Sequence, residues 1–183
     1  MGKMKKIAAL VLLLSMVFTL CACGAEKVSN VTISDLESKS LKAIDSNARL
    51  TKANDGKGIS FSWKSKLSGS WPMNITGIAN EKEQLSSITA TISGIDTDYF
   101  MSCTDKQIAA DILDWQNVPM NKLACSSFFM KYLDVVSVLS GESGHIDVLL
   151  DARSGKSSFA GWEYRITTDK ANKSATIVAT YVG

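Results

Sequence analysis

Gly58-Ile-Ser-Phe-Ser-Trp-Lys-Ser-Lys66 alternates without a break, with Ile59, Phe61 and Trp63 on one side and Ser60, Ser62 and Lys64 on the other. A period of two with a β-branched and aromatic face is the signature of a strand that is dry on one side and wet on the other. Leu85–Gly94 repeats the pattern, with Ile88, Ala90 and Ile92 facing in and Ser87, Thr89, Thr91 and Ser93 facing out. A shorter strand over about Met73–Ala79 lies between them. One-sided strands in close succession predict an antiparallel sheet with a solvated face.

The neighbouring segments switch to helical spacing. Ser34 and Glu37 stand in the S-x-x-E arrangement of a capping box, with Leu41, Ile44 and Ala48 on one face, and Thr51–Lys57 reads as the loop that follows. Thr104 and Gln107 open a second helix, whose buried stripe is Ile108, Ile112 and Trp115 and whose stop is Pro119. A third runs from about Asn121 to Leu139, with Cys125, Phe129, Tyr132, Val136 and Leu139 on one face, widened by Phe128, Met130 and Leu133. Gly141 ends it. His145–Leu150, Phe159–Thr167 and Ser174–Val182 read as three closing strands.

The order is therefore α-βββ-αα-βββ. It predicts an α+β fold, with an antiparallel sheet of about six strands, three helices on one face and the other face solvated. Two three-stranded sheets are the alternative arrangement. The halves 33–95 and 104–183 also echo each other. Ile88–Gly94 and Ile177–Gly183 share I-x-A-T-x-x-G at an offset of 89 residues, Trp71 and Trp162 are 91 apart, and Ile59 and Ile146 are 87 apart. Such offsets suit a duplicated unit, although Ile, Ala and Thr recur on any half-exposed strand. In outline, tandem helix-plus-sheet units resemble the β-lactamase inhibitory protein architecture. No functional motif of that family is matched, so the likeness carries no function.

The first 23 residues are of another kind. Lys3, Lys5 and Lys6 precede a largely apolar stretch of 14 residues, Ile7–Leu20, which runs into Leu20-Cys-Ala-Cys23. This resembles the lipobox of bacterial lipoprotein signals. The resemblance implies removal of residues 1–22 and a diacylglycerol on Cys23, with 23–32 as a lipid-anchored tether and 33–183 as one extracytoplasmic domain. Cys21 fits less well, because bulky Leu20 stands directly before it. The Lys-rich leader is similar to those of Gram-positive bacteria. Its apolar run is shorter than the roughly 20 residues of a membrane span. Three of the 20 basic residues lie in the leader, which leaves 17 against 18 acidic ones. That balance argues against a nucleic-acid partner.

Catalytic patterns are scarce. His145 is the single histidine, which rules out two-histidine zinc motifs. Asp147 or Asp151 could assist it in a hydrolase, yet the chain has neither G-x-S-x-G nor S-x-x-K. Ser154-Gly-Lys-Ser157 lacks the first glycine of a phosphate loop, which is Leu150 here, and Asp96-Thr-Asp98 lacks the rest of a calcium loop. Asn30, Asn74 and Asn172 head glycosylation sequons that mean little behind a bacterial leader. No cofactor or metal is expected. Cys103 and Cys125 are placed by the helix reading on the order of 12 Å apart, beyond the ~7 Å Cα limit of a disulfide. Phe61 and Trp63 belong to the core, while Trp71, Tyr99, Phe100 and Trp162 flank loops or strand ends and are candidates for a ligand surface. The expected function is a non-catalytic, membrane-anchored binding or accessory domain for a protein or cell-envelope ligand. The alternatives are an envelope hydrolase built on His145 and an inhibitor or chaperone of secreted enzymes.

Overall fold

The structure, a computed structural model, describes residues 27–183 except 55, 57, 68 and 69. Cys21 and Cys23 lie outside the described residues. Helix α1 starts as Ile33–Leu36, widens into a π-helical turn over Glu37–Leu41 and finishes as Lys42–Ile44. Strands β1 (Leu50–Asn54), β2 (Ile59–Leu67), β3 (Trp71–Ala79) and β4 (Leu85–Ser93) follow. Four helices come next: α2 (Thr97–Ser102), α3 (Asp105–Leu113), α4 (Met120–Ser140) and α5 (Ile146–Ala152). Strands β5 (Ser157–Phe159), β6 (Trp162–Asp169) and β7 (Ser174–Tyr181) close the chain.

All seven strands form one antiparallel sheet in the order β1-β2-β3-β4-β7-β6-β5. Among the described residues the fold is thus α+β, with seven strands and five helices where the sequence suggested about six and three. Its inner face is the alternating apolar set: Phe61, Trp63, Met73, Ile75, Ile88, Ala90, Ile92, Trp162, Tyr164 and Ile177 are buried. Helix α4 lies against this face through Phe128, Phe129, Tyr132, Val135 and Val136. By length and composition α4 could cross a membrane, but over half of its apolar stretch is buried inside this domain. Gly141, at φ 74°, ends it as expected.

The centre of the sheet is the seam between β4 and β7. Ile88 pairs with Ala179, and Ala90 with Ile177, so the two I-x-A-T segments meet across a local two-fold axis. Each large residue then faces a small one on the inner side. Trp71 and Trp162 open the equivalent strands β3 and β6. Ile146 has no such counterpart, because it lies in α5 rather than in a strand.

Several sequence expectations are corrected. His145–Leu150 forms no strand. Val148, Leu149 and Ala152 are the buried positions, a helical spacing that a six-residue window disguised as alternation. Phe159–Thr167 is a hairpin rather than one strand, because Ala160 (φ 49°) and Gly161 (φ 80°) make the two-residue left-handed turn between β5 and β6. Leu50–Asn54 pairs with β2 as a polar edge strand, a position that needs no apolar alternation. The α1 capping box is Thr32 with Asp35, not Ser34 with Glu37. A bridge from Thr32 to Gln84 holds Thr32 extended, as an N-cap requires. Ile33, Leu36 and Leu41 are its buried face, Ile44 is half-buried and Ala48 lies beyond its end. On α3 the Thr104–Gln107 box forms, but only Ile108 is buried, while Ile112 and Trp115 are exposed, as is Met130 of α4.

Candidate functional site

The outward face of the sheet is the largest surface that the helices leave open. Register places its residues in rows. One row reads Thr51, Ser62, Thr76, Thr89, Val178 and Arg165, and the next reads Ala53, Ser60, Ile78, Ser87, Thr180 and Glu163. Across β1–β4 the twist of the sheet makes a shallow depression of about 540 Å³, into which the hydroxyl residues Thr51, Ser60, Ser62, Thr76, Ser87 and Thr89 face. Gly77 also borders it. Its missing side chain leaves the room that the Phe61 ring occupies on the neighbouring strand, since a Cβ there would come within 2.5 Å of the ring. Ile78 stands 47% exposed on this surface, and Val178 is half-exposed in the neighbouring row.

Hydrogen bonding on the face is sparse and local. Thr51 Oγ1 donates to the Ser62 carbonyl at 3.1 Å, and the Thr91 and Thr176 hydroxyls pair at 3.1 Å across the β4–β7 seam. Charge is confined to the margins. The Lys52 ammonium is drawn to Glu83 at 2.6 Å, while Lys64 and Lys66 stand exposed along β2. On β6, Glu163 accepts from Lys156 at 2.7 Å and Arg165 at 2.9 Å, and these two cations hold its carboxyl below the usual range. The centre therefore offers hydroxyl donors and acceptors at strand spacing, flanked by cations, an arrangement that can hold a ligand by hydrogen bonds.

The aromatic candidates are not gathered on any surface. Phe100 is fully buried and stacks on Phe129 at 4.4 Å. Trp162 is fully buried, its indole N–H donating to the Leu139 carbonyl at 3.0 Å. Trp71 is buried at the start of β3. Trp162 lies under the C-terminal end of α4, and Phe100 belongs to α2, packed against α4. Tyr99 is half-buried, and its hydroxyl is committed to Asp111 at 2.5 Å. The same carboxylate oxygen also accepts from Ser126 at 2.5 Å. That shared acceptor ties α2, α3 and α4 together.

His145 is the exposed N-cap residue of α5, its ring edge-on to Phe159 at 5.4 Å. Asp147 and Asp151 are exposed on the same helix, and among the described residues no hydrogen bond joins them or a serine to His145. Asp96 caps α2 by accepting from the Tyr99 N–H. Cys103 and Cys125 are both free and buried. They lie at opposite ends of α2, where Cys103 is the C-cap residue and Cys125 donates to the carbonyl of the N-cap residue, Asp96. Burial pushes the Cys125 thiol up to about 12 and raises Cys103 as well, against the pull of Arg153. Arg153 itself donates to the carbonyls of Phe100 (3.0 Å) and Cys103 (2.8 Å), closing the C-terminus of α2. Among the described residues no three His, Cys, Asp or Glu side chains come together as a metal would need.

No protein-family model, curated protein or solved structure matches the chain. A functional reading therefore rests on this chain's own residues.

Proposed function

We propose that the chain is an extracytoplasmic lipoprotein, held to the cell membrane by a diacylglycerol on Cys23, whose domain binds a protein or cell-envelope ligand and catalyses no reaction. The observation that carries this reading is the open sheet face. Seven strands present rows of Ser and Thr hydroxyls to solvent, while all the helices lie on the opposite side. The depression over β1–β4 has hydrogen-bonding groups and marginal cations but no nucleophile and base within reach of one another. The leader supplies the address, because two acyl chains on one cysteine give a stable attachment where one chain would be marginal.

The test has two arms. Cys23→Ala is expected to abolish acylation and move the protein out of the membrane fraction, while Cys21→Ala leaves it in place. In the second arm, full-length protein carrying Thr76→Lys or, in a separate variant, Thr89→Lys is expected to lose retention on envelope material with its melting curve little changed. The two are kept apart because they are cross-strand partners and paired lysines would repel. Both side chains point outward, so the fold has no reason to respond. Retention equal to that of the native chain would remove the sheet face from the reading.

A further inference from the structure

Ile112 and Trp115, two of the three residues expected as the buried stripe of α3, stand in solvent instead. Ile112, Leu113, Trp115 and Met120 are 37, 86, 58 and 58% exposed, and together they form a convex corner where α3 turns into α4. Of the acidic groups nearby, Asp111 is taken by the Tyr99 and Ser126 hydroxyls, while Asp114 is exposed beside the corner and accepts from Asn117 at 2.7 Å. The nearest cation on α4, Lys122, lies over the Tyr99 ring at 5.1 Å.

The corner occupies one pole of the domain. Next to it the Asn121 carbonyl accepts from the Asp96 N–H, just past the end of β4. Helix α4 then runs 21 residues, roughly 31 Å, to the opposite pole. There the Leu139 carbonyl meets Trp162, and there the chain enters the fold, with the Ser29 N–H donating to Leu85 at the start of β4 and Lys27 to the Val182 carbonyl at 2.5 Å. Four residue steps separate Cys23 from Lys27, a reach of at most about 14 Å. An acylated Cys23 thus holds one pole against the bilayer. A domain lying on its helical side touches the same plane with its apolar corner at the other pole.

Chemistry rather than area selects the occupant. At about 200 Å² for each large side chain, the four residues expose on the order of 500 Å², about the apolar share of one side of a standard protein interface. A convex tip of Trp, Leu, Met and Ile does suit the interfacial zone of a bilayer, where tryptophan is enriched. We infer that this corner is a second, reversible membrane contact that lays the domain on its helical side and turns the hydroxyl-lined sheet face toward the medium. The orientation rests on the anchor at Cys23, while the contact itself rests on the corner alone.

The tryptophans supply the test. Trp63, Trp71 and Trp162 are buried, so Trp115 is the exposed reporter. Full-length acylated protein is reconstituted on phosphatidylcholine vesicles with brominated acyl chains. Trp115 emission is expected to shift to the blue, lose most of its intensity to the bromolipid and resist aqueous iodide. Trp115→Phe removes the response, and Leu113→Asp with Met120→Asp returns Trp115 to water. A vesicle-bound protein whose Trp115 is quenched by iodide and untouched by bromolipid overturns the proposal and leaves the anchor standing. That outcome would make the corner a surface for a protein. If Cys23 proves not to be acylated, the full chain is titrated with the same vesicles. Bromolipid quenching then supports the corner while the anchor fails, and its absence overturns both.

Discussion

Replacing Gly77 with Ala is expected to destabilise the domain, although the same change in an unconstrained strand would help. Alanine in place of glycine normally gains ~0.5–1 kcal/mol by limiting the unfolded chain. At Gly77 the added Cβ would lie 2.5 Å from two ring carbons of Phe61 and 2.6 Å from the Ser87 carbonyl oxygen, against a comfortable separation of about 3.5–4.0 Å. Neither neighbour can retreat cheaply. Phe61 is 3% exposed, and Ser87 sits in the β3–β4 ladder beside its one register shift. Overpacking of this kind costs ~1–3 kcal/mol, so the net loss is ~1–2 kcal/mol. For a chain of this length that lowers the melting temperature by roughly 2–8 °C. Urea melts followed by circular dichroism read the change directly. Adding Phe61→Leu to the variant should cost less than the sum of the two single losses, because the ring is half of the conflict. A midpoint equal to or above that of the native chain, with full additivity in the double variant, would refute the argument.

Phe129→Ala should lose ~3–5 kcal/mol in denaturant melts, since the side chain is fully buried against Phe100. A loss within ~0.5 kcal/mol would put the ring at the surface. The third prediction concerns acid. Hydrogen bonds from Lys39 and Thr32 lower the Asp35 carboxyl to about 2. Its contribution is complete above the unfolded value of about 3.9 and fades as pH falls toward the folded one. Native stability measured from pH 5 to pH 2 should therefore fall more steeply than that of Asp35→Asn. Parallel curves would remove Asp35 from the acid response.

The sheet was legible wherever one face is buried along a whole strand. Ile59–Trp63 and Ile88–Ile92 announce both their conformation and their inward side, because a slip of one residue would expose every apolar group. Edge strand β1 carries no such signal, as Thr51, Lys52, Ala53 and Asn54 are all exposed. Helix α5 was hidden because its short stretch satisfies both periods. The helical stripe on α3 was read correctly as apolar and as buried at Ile108, and wrongly as buried at Ile112 and Trp115. Periodicity reports that a side chain avoids water; it does not report what covers it. The hydroxyl face was visible as Ser87, Thr89 and Thr91, but its extent needed the register that sets them beside Ser62, Thr76 and Thr176. The aromatic candidates failed for the reverse reason. Position at a strand end says nothing about a helix that passes over it.

The β4–β7 seam has a consequence for how the chain assembles. Its paired residues lie 81 to 93 positions apart, from Ser93 with Ser174 to Ser87 with Thr180, whereas the hairpins on either side close through short turns. Contacts of such long separation form late. Until they do, β4 presents a bare edge with inward Ile88, Ala90 and Ile92 at strand spacing. The local two-fold makes this edge a fair partner for a copy of itself. Antiparallel pairing of two β4 strands about Thr89 would again set isoleucine against alanine. Dimers joined at the half-sheet are therefore the misassembly to expect on rapid refolding at high concentration, and slow dilution should suppress them.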